Sequence, residues 1–474
     1  MGRSPLATSP AFRRYWAGRL ASYAGDQIAR TALLIAVFDR NGGAAVGWLL
    51  LVSTAPRLLG PLLGALADRF DQRRLMVGCD TAQAVIYLAI AVTMPSLPVL
   101  LGLTALGTGF ATLFTPAGRS LVPQLVGIER LPAANAQLAA AVNTGIAAGP
   151  ALGGLLLAGA GLRATLLVNA ATFVLSAALL AAPGFRRRLP AVSPVAPPAV
   201  ASPTVAPPAV ASPTVAAGAG ARSGAPVRAR VTPDPADSPG VPAGSGVAPA
   251  AVPPGSGVVA AATPTPHESV LGDLRAGLAI AWADRVVRAV ALTLLVGVVF
   301  AALDNVAVVP FGRGVLHASD TAVGALGTGY GVGMALAPML LTLGGSFRAE
   351  RVLAVGLLSF GAGTALTAVM PVLGLALIGQ ALAGAGNGWQ NVANDTLIQQ
   401  RVPQQRLGTV FGTVYTFPYA AEVLAYAIGG PLLAEMGPRW VLVVAGVGVL
   451  GTLAFAYPVL THAVHTGRRP AEAH

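Results

Sequence analysis

Apolar residues run for about twenty positions at a time along this chain, and short charged or Gly/Pro-containing breaks separate the runs. Six such runs lie near residues 15–38, 46–67, 75–94, 97–117, 137–158 and 164–182, and six more near 289–311, 322–343, 352–370, 373–395, 407–434 and 440–462. At 1.5 Å per helical residue each can cross a hydrocarbon core of ~30 Å. The pattern therefore predicts an all-α integral membrane protein of twelve transmembrane helices in two six-helix halves, residues 1–188 and 267–474. Charged and nearly uncharged connections alternate, from Arg3, Arg13 and Arg14 ahead of the first run to the bare Pro95–Pro98 turn. With positive charge kept inside, that alternation predicts a multi-pass protein of the bacterial-type plasma membrane with both termini cytoplasmic.

Between the halves, residues 189–266 change to Pro, Ala, Ser and Val, with an exact tandem decapeptide at Val195–Thr204 and Val205–Thr214. Such a stretch cannot bury a core and predicts an extended, disordered cytoplasmic linker. His267–Arg275 follows as an amphipathic lead-in expected to lie along the membrane face.

Composition agrees with a membrane protein: the 474 residues are 54% hydrophobic and 10% charged. The net charge of +12 comes from arginines in short clusters between apolar runs, which reads as topology charge and not as a nucleic-acid surface. The single cysteine, Cys79, excludes an internal disulfide and a cysteine metal cluster. All five histidines fall in predicted loops or the tail, and no nucleophile has a visible base, so the sequence argues against an enzyme, a metal and a cofactor.

The halves align with each other at a nearly constant offset: Asp26 with Asp304, Phe70 with Phe347, Pro123 with Pro403, and Gly149-Pro150 with Gly430-Pro431. An even number of spans per half gives both halves the same orientation, so the duplication is parallel.

Three stretches carry a family resemblance. The hairpin between the second and third runs holds Gly64, Asp68, Arg69, Arg73 and Arg74; the fifth run holds Gly145, Gly149, Pro150, Gly153 and Gly154; and the chain begins Phe12-Arg-Arg-Tyr-Trp-Ala-Gly-Arg-Leu-Ala-Ser-Tyr-Ala-Gly-Asp26. Together they resemble major facilitator superfamily transporters of the drug, macrolide or siderophore exporter type. The resemblance implies that Asp68 and the arginines form a cytoplasmic charge lock between helices. It also implies that the fifth-run glycines and proline form the antiporter-like motif of drug:proton exporters, and that substrate binds near the midplane between halves. This hairpin departs from the family pattern at Asp71, where glycine is usual, and at Gln72, where arginine is usual. The second-half copy around Gly344–Arg351 lacks the aspartate.

Ionisable residues inside a membrane are functional-site candidates by default. Asp26, Arg30, Arg57, Asp304 and Glu422 interrupt the apolar runs, with Asn305 beside Asp304. Asp26 and Arg30 share a helix face, and Asp26 and Arg57 each lie roughly 16 Å from the cytoplasmic surface, a depth at which they could pair. A self-neutralising ion pair is the plain alternative. Asp26 and Glu422 are the expected proton-linked acids, with Arg30 and Arg57 tuning Asp26. Trp389, Gln390 and Asn391 are candidates for the substrate cavity, and helix-packing hydrogen bonds explain them equally well. The expectation is a monomeric, proton-coupled exporter of an amphiphilic small molecule, working by rocking of the halves in the lipid bilayer. Uptake or facilitated passage of a metabolite, and a non-transporting membrane sensor, remain alternatives.

Overall fold

The structure, a computed structural model, describes residues 4–67, 69–182, 272, 278–279, 282–343, 347–402 and 407–466. The expected linker, nearly all of the amphipathic lead-in, and Asp68 lie outside the described residues. Met1–Leu189 and His267–His474 form one compact unit that contains both halves.

Twelve membrane-length segments follow the apolar runs. After a single turn at Pro5–Thr8, α1 (Pro10–Asn41) starts where the Ser9 hydroxyl accepts from the Phe12 N–H at 3.2 Å and Pro10 fills the first turn. It stops at Gly42, whose φ of 77° suits glycine. The second span, α2, is not one helix: Gly43–Val52 gives way to a 3₁₀ turn at Ala55–Leu59 and resumes as Gly60–Ala67. Pro56 lacks an N–H, and the Ser53 hydroxyl donates back to the Leu49 carbonyl at 2.6 Å; both weaken the helical ladder there. The break presents Arg57 at mid-span.

Next come α3 (Gln72–Thr93), capped by the Asp71 carboxylate on the Arg74 N–H at 2.9 Å, and α4 (Leu97–Val126). The run Leu131–Ala181 is two helices, α5 (131–160) and α6 (162–181), joined at Gly161 with φ 79°. The second half repeats the plan with α7 (Arg285–Gly314), α8 (Asp320–Leu343), α9 (Ala349–Val369) and α10 (Leu373–Gln399). Then α11 (407–414 and 416–436) meets α12 (438–466) at Gly437, φ 77°. Gly161 and Gly437 make the same tight turn in corresponding places, as duplication predicts. Among the described residues, eight helical runs are long and apolar enough to cross a membrane, by length and composition alone. The α5–α6 and α11–α12 runs each supply two spans, and α1 and α10, which carry more polar residues, complete the twelve.

The segments put residues 69–74 at one end of the bundle, here the near end, and Gly42, Gly161 and Gly437 at the other, the far end. Buried apolar contacts differ between them. At the far end one cluster joins both halves, packing Leu33, Val46 and Leu49 with Val306, Phe311, Tyr426 and Leu433. At the near end the clusters are separate: Phe12, Met76, Phe114 and Leu180 in the first half, and Val287, Leu353, Leu397 and Val410 in the second.

Candidate functional site

Each half places an aspartate at the matched position, half-buried in the first half and buried in the second. Asp26 of α1 accepts from the Asn169 side-chain amide of α6 at 3.4 Å, and the absence of a side chain at Gly25 lets Asn169 and Thr172 come that close. Asp304 of α7 is 3% exposed and accepts from the Gln380 amide of α10 at 3.1 Å. Both acids are thus held by neutral amides and by no ion pair among the described residues. The expected pairing of Asp26 with Arg57 is not made. The α2 break turns Arg57 toward the second half, where its guanidinium carbon lies 6.0 Å from the centre of the Tyr419 ring.

Glu422 of α11 faces the cations Arg57 and Arg30, both from the first half. The charged neighbours of Asp26 are Arg19 and, as expected, Arg57, whereas Arg30 is a charged neighbour of Glu422. Asn305 donates to the Tyr426 hydroxyl at 3.3 Å, placing α7 beside α11 just beneath Glu422.

The fifth-span motif does two jobs. Gly145, Gly149 and Gly153 recur every four residues and meet α1: a Cβ on Gly153 would come within 2.6 Å of the Ile28 carbonyl oxygen, and one on Gly145 within 3.1 Å of Tyr23. Gly154 and Pro150 instead face α8 of the other half, against Asp320, Gly324 and Gly327. In the turn after the proline, the Ala151 N–H donates to the Thr328 hydroxyl across the halves at 2.9 Å. The duplicated Gly430 performs the equivalent service for α11, lying against Ala44 and Gly47 of α2.

Two sets of charges mark the ends. At the far end Arg313 Nη2 reaches Asp39 Oδ2 at 2.6 Å and Asp320 Oδ1 at 2.9 Å, joining the last turn of α1 to α7 and α8. Its Nε also donates to Asp39 at 3.2 Å, a forked geometry. At the near end Gly64 lies against Pro116 of α4, and Arg73 donates to the carbonyls of Leu180 at 2.7 Å, Ala181 at 2.5 Å and Ala182 at 3.1 Å. That clamp ties the hairpin to the C-terminal end of α6, where an arginine complements the helix dipole. Arg69 and Arg74 are exposed.

Of the α10 candidates, Trp389 Nε1 donates to the Ala337 carbonyl at 2.8 Å and Gln390 to Gly356 at 3.3 Å, so both serve helix packing. Asn391 is exposed and donates to Asn387 at 2.9 Å, while Asn387 bonds the Tyr330 hydroxyl. Sequence reading missed Asp80 and Arg19. Asp80 of α3 is 1% exposed, with Oδ2 lacking a hydrogen-bond partner, and Arg19 lies 4.9 Å from the Phe114 ring centre. The signal was available, since each is an ionisable residue within an apolar run.

Twelve spans in two like-oriented halves, with a matched acid inside each, define a multi-pass secondary transporter. The sequence profile of the Major Facilitator Superfamily matches residues 15–311 and 290–473, and the chain belongs to that family. It is 32% identical over 172 residues to an uncharacterized MFS-type transporter, YfiS, of Bacillus subtilis (strain 168), covering 35% of this chain and 40% of that one. It is 29% identical over 163 residues to BacE of Bacillus amyloliquefaciens, named for bacilysin export, covering 34% and 41%. A macrolide efflux protein of Streptococcus pyogenes is 32% identical over 129 residues, 25% and 31% of the two chains. The matches thus span less than half the length of these curated relatives. Among solved structures, the nucleoside transporter NupG superposes with a TM-score of 0.60 at 11% identity, covering 97% of this chain and all of that one. A bacterial homolog of the human lysosomal transporter Spinster gives 0.62 at 14%, covering 98% and 99%. At such identities they bear on the fold alone.

Proposed function

We propose that this transporter exports an amphiphilic small molecule across the bacterial plasma membrane, driven by inward proton flow. The observation that carries the reading is the matched pair of intramembrane aspartates, one per half, each held by an amide. Such a carboxyl can gain or lose a proton without breaking a salt bridge, which suits a proton-linked cycle. Glu422, facing Arg57 and Arg30 from the other half, is the third acid of the cycle and links protonation to the approach of the halves. The names of the distant relatives support outward transport. With near-end arginines cytoplasmic, the chain is closed outside and parted inside, and the Arg69–Arg74 hairpin serves as the cytoplasmic gate.

Vesicles test the direction. Inside-out vesicles with an acidic lumen are expected to accumulate the substrate of a dye, macrolide and peptide panel. Accumulation by right-side-out vesicles alone would overturn export. An Asp26→Asn, Glu422→Gln double variant is expected to lose gradient-driven flux, and wild-type rates from it would remove these acids from the coupling.

A further inference from the structure

The charges of Arg30, Arg57 and Glu422 are opposed but not in contact. Among the described residues, the guanidinium groups of Arg30 and Arg57 make no ion pair and no hydrogen bond, and neither does the Glu422 carboxylate, although each arginine's field reaches it. Elsewhere in the same chain arginines close directly on carboxylates: Arg313 on Asp39 at 2.6 Å, and Arg348 on Glu350 at 2.7 Å. Arg30 and Arg57 are exposed and Glu422 is half-buried, so the three charges are open to an approaching ligand, which can supply the contacts they lack. The gap also lies between halves, with α1 and α2 on one side and α11 on the other. Tyr419 lies under Arg57, and Tyr426, tied to Asn305, lies one helical turn beyond Glu422.

We infer that this gap binds a zwitterion bearing a carboxylate and an ammonium group, of the kind carried by amino acids and short peptides, with an apolar body against Tyr419. The carboxylate takes the forked donors of Arg57 and Arg30, and the ammonium takes Glu422. Both charges of the ligand are needed for discrimination. A simple anion meets Glu422 unpaired, and a simple cation meets two arginines, so each pays like-charge repulsion. The inference rests on the export reading only for its use. There, a proton arriving on Glu422 removes the ammonium's partner, so that substrate and proton compete for the same carboxylate, as exchange requires.

Binding to the purified full chain in detergent, with no gradient imposed, tests the inference separately from direction and coupling. The probes are L-phenylalanyl-L-leucine, its C-terminal amide and its N-acetyl derivative, followed by isothermal titration. The dipeptide is expected to bind at least about tenfold more tightly than either blocked form. Glu422→Gln is expected to erase the penalty of N-acetylation, and Arg57→Gln that of amidation, with Arg30→Gln as a second probe of the carboxylate. Equal binding of all three by the wild type, tighter binding of a blocked form, or no heat from any up to about 10 mM would overturn the zwitterion site. Those outcomes need no variant to fold. Export would stand or fall on the vesicle measurement alone.

Discussion

The two ends of the bundle are held together in different ways. At the far end the halves share one apolar cluster and approach to backbone distance: a Cβ on Gly47 would lie 2.9 Å from the Gly430 Cα, and one on Gly154 would meet the Asp320 carbonyl oxygen. An ion triad on Arg313 completes that end. At the near end each half keeps its own apolar cluster, and Arg73 hydrogen-bonds the end of α6 within the first half. Lipid is as apolar as the side chains themselves, so helices in a membrane associate through close packing and hydrogen bonds. The far end supplies both, with glycines bringing the backbones close beside the shared apolar cluster. The difference teaches that this closure is reversible by construction, with fit, a few polar bonds and one ion triad holding it.

Substitutions can break the comparison, beginning with the strongest. Gly324→Ala places a methyl on the Pro150 carbonyl oxygen across the halves, whereas Gly384→Ala places one on the Tyr330 carbonyl within the second half. Overpacking costs about 1–3 kcal/mol in either case. The first is expected to shift the population toward a parted far end by at least roughly fivefold, read from cysteine alkylation at Asn41. The second is expected to lower the melting temperature with the alkylation ratio unchanged. Similar behaviour of the two would erase the distinction between seam and interior.

Arg313→Gln comes next. Asp39 and Asp320 are 39% and 21% exposed, so solvent weakens the triad, and the loss is about 1 kcal/mol. A fivefold shift in the same alkylation ratio is expected, shrinking as salt rises. Thr328→Ala removes the hydrogen bond to Ala151 and is expected to shift the ratio only about twofold, on the basis of about 0.5 kcal/mol for such a bond.

Much of this was legible in the sequence, and the failures have physical causes. Twelve spans follow from the lengths of the apolar runs, and parallel halves from a constant offset. The matched places of Asp26 and Asp304 follow from the same offset. The pairing of Asp26 with Arg57 failed because depth along a helix says nothing of azimuth, and the 3₁₀ turn at Ala55–Leu59 rotates Arg57 toward Tyr419. Arg30 shares a helix face with Asp26 yet is a charged neighbour of Glu422, on a helix nearly four hundred residues away. The polar run in α10 was read as either cavity or packing, and Trp389 and Gln390 proved to be packing because their partners are backbone carbonyls that no sequence pattern marks.

The central claim is that protonation governs which end of the bundle is closed. Spin labels on cysteines replacing Asn41, at the end of α1, and His317, exposed between α7 and α8, report the far-end separation directly. Buried Cys79 is replaced by serine to leave no background thiol. Double electron–electron resonance in lipid nanodiscs across a pH series is expected to show two separations whose proportions change with pH, and a fixed proportion once Asp26 and Glu422 are neutralised. A single distance distribution, unchanged at every pH, would contradict the account.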